Sequence, residues 1–171
     1  MFQSDPKEAV DSVQLKRPLQ RRLLAWLWVV CWATLIWIFG GDSFSFSESG
    51  NTILPWLDWL TGDLDYRTRY RIYIAIRKSA HFVEYAILAL LTFRASLISA
   101  NRTRLATAAW VALFIVTSLA AADEARQAFS QVRTGSPYDV LIDVTGGLLT
   151  VLGLLLITRR LRQSDPAESS A

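Results

Sequence analysis

Residues 23–39 read LLAWLWVVCWATLIWIF, and these seventeen positions decide the fold. Rolled into a helix, the run is apolar on every face, and a soluble chain of 171 residues is too short to surround it with core on all sides. It is therefore expected to cross a membrane. Four of the seven tryptophans, Trp26, Trp28, Trp32 and Trp37, lie in it. They could be taken for a stacking platform for a ligand, but tryptophan in and around bilayer spans is far commoner.

Three further apolar blocks follow, Ala80 to Ile98, Leu105 to Ala122 and Val140 to Thr158. Each is close to the roughly 17–25 residues that a bilayer span requires. The block from Ala80 contains His81, Glu84 and Arg94, so as a span it must turn the first two toward protein and let Arg94 snorkel to an interface. The fold class is all-α, a membrane-spanning bundle of four transmembrane helices. A composition of 52% hydrophobic residues gathered in blocks agrees with this. The net charge of +3 does not point to nucleic acid, because Lys and Arg sit at block ends rather than in one stripe. With Cys31 the single cysteine, an intrachain disulfide and a cysteine metal cluster are both excluded. About twenty polar residues precede the first block, which argues against a cleavable signal peptide, so that block is expected to be retained.

The chain divides into a flexible cytoplasmic tail over 1–22, a membrane domain over 23–158 and a disordered cytoplasmic tail over 159–171. Between the first two spans lie the serine-rich SFSFSES and then LPWLDWLTGDLD, expected to form a short interfacial helix in the first outer loop. Asp63 and Asp65 have a D-x-D spacing but lack the other ligands of a calcium loop, so they read as solvated turn residues. The stretch Arg67 to Lys78 is expected as a second interfacial helix leading into the span. Ala106, Ala109, Thr117 and Ala120 to Ala122, facing Gly146, Gly147, Thr150 and Gly153, predict tight packing of the third span on the fourth.

With four spans both termini share a side, and eleven Lys and Arg fall there against seven opposite, which makes that side cytoplasmic by the positive-inside rule. The polar residues then converge at the outer face. KSAHFVEY, from Lys78, sets Lys78, His81 and Tyr85 on one helix face with Glu84 beside them. DEARQAFSQVRTGSPYDVLIDVTGG, from Asp123 to Gly147, supplies Asp123, Glu124, Gln127 and Arg133, then Asp139 and Asp143 one helical turn apart. An aspartate at a span centre costs about 2.5–3.5 kcal/mol, so Asp143 must face protein or trapped water. Together these residues predict one outward-facing polar pocket.

The two motifs, Lys-x-x-His-Phe-x-Glu-Tyr and Asp-Glu-x-x-Gln followed by an Arg, an Asp and glycines, resemble those of the VanZ-like family of small bacterial membrane proteins. Lys78, His81, Phe82, Glu84, Tyr85, Asp123, Glu124, Gln127, Arg133, Asp139 and Gly146 match in order and spacing, over about residues 23–158. Asp143 departs from the asparagine that the resemblance leads one to expect. The resemblance implies a multi-pass protein of the bacterial plasma membrane. The family is named for a member that lowers susceptibility to the glycopeptide antibiotic teicoplanin.

Several chemistries fit the pocket. One is binding of a lipid head group or a lipid-linked cell-wall intermediate, with Lys78 and Arg133 meeting phosphate. Another is a membrane-embedded hydrolase or transferase, drawing on His81, Glu84, Asp123, Glu124 and Asp139. His81 or Glu124 would be its general base, and a divalent metal held by His81 and Asp or Glu is a further candidate. The chain holds no second histidine and no nucleophile elbow. An ion-coupled transporter is a third reading, weakened by the lack of an internal repeat. The last is a purely structural network, Arg133 with Asp123 or Asp139 and Lys78 with Glu84.

Overall fold

The computed structural model describes residues 6–41, 55–56, 59–60, 62, 64–100, 104–130 and 136–164. Its architecture is four long helices, α1 (Pro6–Phe39), α2 (Tyr66–Ser99), α3 (Leu105–Ala128) and α4 (Pro137–Gln163). Each contains a stretch long and apolar enough to cross a membrane, Pro18–Phe39, Tyr66–Ser99, Leu105–Ala128 and Pro137–Leu161. No strand occurs among the described residues, and the all-α class holds.

The helices run past the apolar blocks, and local chemistry explains where they stop. α1 begins at Pro6, so its backbone takes in most of the segment expected as a flexible tail. Proline suits a first helical turn, and Lys, Glu, Ala, Gln and Leu after it are good helix formers. α2 takes in the stretch from Arg67 to Lys78, expected as an interfacial helix leading into the span, as its first turns, and has 34 residues. At about 1.5 Å per residue it is about 51 Å long, against a hydrocarbon core of about 30 Å, so it projects beyond the bilayer. Its N-cap is Asp65, whose carboxylate accepts the Thr68 N–H at 3.2 Å. Asp65 is thus a helix cap and not merely a solvated turn residue. α4 starts with Pro137 in its first turn behind Ser136 as N-cap, the hydroxyl accepting from Tyr138 N–H at 3.3 Å. The interfacial helix expected around LPWLDWL falls largely outside the described residues.

α2 is the central helix, packing on α4, α3 and α1. Buried positions on α3 recur every three or four residues, Ala108, Ala109, Ala112, Val116, Ala120, Asp123, Glu124 and Gln127. Most are small. The large apolar side chains point outward instead, with Trp110 and Phe114 each 72% exposed. That inversion suits a bilayer, where lipid tails are as apolar as leucine and close backbone approach drives association. α1 is tied to α2 by two indoles: Trp26 Nε1 donates to Ser99 Oγ at 2.9 Å, and Trp32 Nε1 donates to the Glu84 carbonyl at 2.9 Å.

The packing of α4 differs from the expectation in one respect. Gly147 does face α3, where an added Cβ would lie 2.7 Å from Val116 Cγ1, but Gly146 faces α2, where it would run into the carbonyl oxygen of Phe82. A Cβ at Gly153 would meet nothing within 4 Å. Ala106, Thr117, Ala121 and Ala122 are exposed, so of the small α3 residues singled out only Ala109 and Ala120 are buried. Adjacent glycines point about 100° apart on a helix, which lets α4 press on two neighbours at once.

Candidate functional site

At the end of the bundle where α1 stops, α2 and α4 enter and α3 leaves, the polar side chains collect. α2 contributes Lys78, His81, Glu84 and Tyr85, α3 contributes Asp123, Glu124 and Gln127, and α4 contributes Asp139 and Asp143. All of them lie within the apolar-helix spans. Asp123, Glu124 and Gln127 are helical because α3 continues to Ala128 rather than stopping at Ala122. Carboxylates near a helix C-terminus oppose its dipole, and Arg126 in the last turn offsets this.

Exposure falls steadily into the cluster. At its mouth Lys78 Nζ is paired with Asp139 Oδ1, their side chains 42% and 35% exposed. Next in, His81 Nδ1 stands 3.8 Å from Glu84 Oε2. Glu124 accepts the backbone N–H of Ser136, which fastens the end of α3 to the start of α4. Deeper still, Asp123 is 2% exposed; it accepts from Arg126 Nη2 at 2.5 Å and from Gln127 Nε2 at 2.8 Å. Asp143 is 3% exposed and Tyr85 0%.

Two members of the site, Arg126 and Gly40, were not singled out in the sequence. Arg126 neutralises Asp123 and lies over the Trp37 ring of α1, 4.2 Å from its centroid. Gly40, just past α1, leaves room for that pair: a Cβ there would be 2.6 Å from Asp123 Oδ2 and 2.7 Å from Arg126 Nη2. The i, i+3 spacing of Asp123 and Arg126 was the available signal, usable once α3 is known to extend that far. The ion pairs of the expected structural network are also corrected. Lys78 pairs with Asp139 rather than Glu84, because α4 brings Asp139 in its first turn alongside α2. Asp123 pairs with Arg126. Arg133 lies outside the described residues. Among the described residues, no three His, Cys, Asp or Glu side chains are grouped so as to hold a metal ion.

The motif residues on α2, α3 and α4 thus share one end of one bundle. A family model described as VanZ/LLP1 matches residues 25–158. The chain belongs to the VanZ/LLP1 family. Neither a curated protein nor a solved structure matches it. The VanZ/LLP1 match reaches into all four helices and takes in every paired residue of the cluster, and it leaves out the charged residues at both ends of the chain.

Proposed function

We propose that this VanZ/LLP1 protein sits in the bacterial plasma membrane with both termini in the cytoplasm and holds a polar lipid head group in an outward-facing site. The domain division into a cytoplasmic tail over 1–22, the membrane domain over 23–158 and a second tail over 159–171 belongs to this reading. The observation that carries it is the gradient from the partly exposed Lys78 and Asp139 to the buried Asp123 and Asp143, all within apolar helices. A purely fastening network has no need of a polar path that runs from the end of the bundle inward. A lipid-linked cell-wall intermediate is one source of such a head group. Changed susceptibility to teicoplanin is the phenotype that follows if the bound group belongs to the cell envelope.

Native mass spectrometry of the detergent-purified protein tests this, with Lys78→Ala beside the wild type. Retained phospholipid or polyprenyl-phosphate adducts, reduced in the variant, are expected. A wild-type spectrum without any lipid adduct refutes the reading.

The His81–Glu84 contact supports a second reading, an acid–base hydrolase or transferase. A carboxylate beside an imidazole orients it for proton transfer. Conversion of an added lipid by the wild type and not by His81→Ala is the expected result there. Equal turnover by both would remove His81 from catalysis.

A further inference from the structure

Arg126 is held from two sides at the end of the bundle. The Trp37 ring of α1 covers one face of its guanidinium, with Cζ 4.2 Å from the ring centroid, and Asp123 Oδ1 accepts from Nη2 at 2.5 Å. A planar group fixed by one face and one edge directs its remaining N–H donors outward in its own plane. One of them is unmet: Nε is buried and has no hydrogen-bond partner among the described residues. A donor on a charged group is costly to leave buried and unpaired, so the arrangement calls for an acceptor.

Asp123 does not use up the guanidinium. Its second oxygen accepts from Gln127 Nε2 at 2.8 Å, so the carboxylate is bonded at both oxygens while drawing on Arg126 through Nη2 alone. The adjoining chain is also bare. A Cβ at Gly40 would lie 2.7 Å from Nη2, and one at Gly41 would rest against Nη1 at 3.9 Å. Two successive glycines therefore set no side chain of their own against an arginine whose side chain stays 31% exposed.

Depth selects the acceptor. Arg126 is in the last turn of α3 and Trp37 in the last turn of α1, at the ends of two helices that can each cross a membrane. Lipid phosphates lie at that level, just outside the hydrocarbon core. Phosphate oxygens also match the in-plane N–H donors of a guanidinium, a fit that the point charge of an ammonium lacks. We infer that Arg126, steered by Asp123 and Trp37, receives the phosphate of a lipid head group. This rests on the head-group reading above and names its anchor and the chemistry that the anchor recognises.

The test is competitive native mass spectrometry on the full chain in a neutral detergent, with equimolar phosphatidic acid and diacylglycerol of identical acyl chains. Retention of phosphatidic acid about tenfold or more above diacylglycerol is expected, the ratio of one charge-assisted hydrogen bond. Asp123→Asn should raise that retention, because the amide oxygen still accepts from Nη2 while the charge that repels phosphate is gone. A residue that merely neutralised Asp123 would predict no such gain. Arg126→Lys keeps a positive charge beside Asp123 but loses the planar fork, and it should lower retention several-fold with helical circular dichroism unchanged. The other basic residues are the same in all three proteins, so the differences report on Arg126. Inorganic phosphate at equal concentration should not displace the lipid. Equal retention of the two lipids, no gain in Asp123→Asn, wild-type retention in Arg126→Lys, or displacement by inorganic phosphate each overturns the phosphate inference while the head-group reading stands. If the wild type retains neither lipid, both fall. Using both variants keeps the test decisive should one fail to fold.

Discussion

Gly146→Ala puts the contact between α4 and α2 under direct strain. A Cβ at this position would overlap the carbonyl oxygen of Phe82 and lie 3.2 Å from its carbonyl carbon and 3.3 Å from Cδ2. Two of those three atoms are backbone of α2 and cannot swing aside, so α4 has to move. Overpacking of this kind costs about 1–3 kcal/mol. Against it stands the helix propensity of alanine over glycine, worth up to about 1 kcal/mol. Gly153→Ala on the same helix gains that propensity with nothing within 4 Å to clash. Subtracting the two variants cancels the propensity, and Gly146→Ala should be the less stable by about 1–3 kcal/mol, roughly a fivefold to 150-fold change in the unfolding equilibrium. The assay is titration of the full chain with sodium dodecyl sulfate in mixed micelles, followed by loss of helical circular dichroism. Equal stability of the two variants, or a more stable Gly146→Ala, would refute the close approach. A shift of α4 also withdraws Asp139 from Lys78, so lipid retention should fall in Gly146→Ala and persist in Gly153→Ala.

Four shorter predictions follow from the same geometry. An alanine double-mutant cycle on Lys78 and Asp139 should give a coupling of only about 0.2–1 kcal/mol, because both side chains are more than a third exposed and solvent screens them; a value several times larger would contradict that exposure. Arg126→Ala leaves the buried Asp123 with Gln127 alone and should cost about 2–3 kcal/mol, less than the roughly 3–5 kcal/mol of a wholly buried pair; stability equal to wild type would remove Arg126 as its counterion. The side-chain and backbone hydrogen bonds of Thr68 hold the Asp65 carboxyl below its ordinary value. A depressed value means that the cap acts fully above the unfolded carboxylate range and is lost as pH falls through the lowered folded value, so hydrogen exchange at the first turn of α2 should accelerate in acid in the wild type and be pH-insensitive, once intrinsic rates are removed, in Asp65→Ala. A reporter fused after Ala100 should read as cytoplasmic, and a reporter active only outside the cell would reverse the orientation.

The four spans were legible because an apolar block of that length has no other home, and Leu23 to Phe39 is apolar on every face. Helix ends were harder to read. Hydropathy marks where lipid begins, whereas the helix continues as long as the backbone is satisfied, so α3 runs on through Asp123 to Gln127 although these residues are polar. That ionisable residues of α2, α3 and α4 would gather at one end of the bundle was visible in their spacing, but their pairing was not. Lys78 has Glu84 nearer in sequence, yet its partner is Asp139, from a helix 61 residues away. That choice depends on how far α4 sinks against α2, a distance set by Gly146 that no spacing rule contains.

Packing and chemistry in this bundle are therefore the same event. Asp143 and Gly146 are three residues apart on α4, on one face. The missing side chain at 146 allows the backbone of α4 to touch α2 at Phe82, and one turn away Asp143 is buried at 3% exposure. A buried carboxylate normally drives helices apart unless it is paired, because its desolvation outweighs what packing returns. Here Asp143 keeps one oxygen without a partner among the described residues, and α4 still packs against the backbone of α2 at Gly146. The small residues that hold α4 in place thus also hold the unpaired oxygen in position, and a ligand that supplies the missing donor should tighten the α2–α4 contact. A lipid that the wild type retains should then protect it against dodecyl sulfate, since a ligand stabilises only the state that binds it.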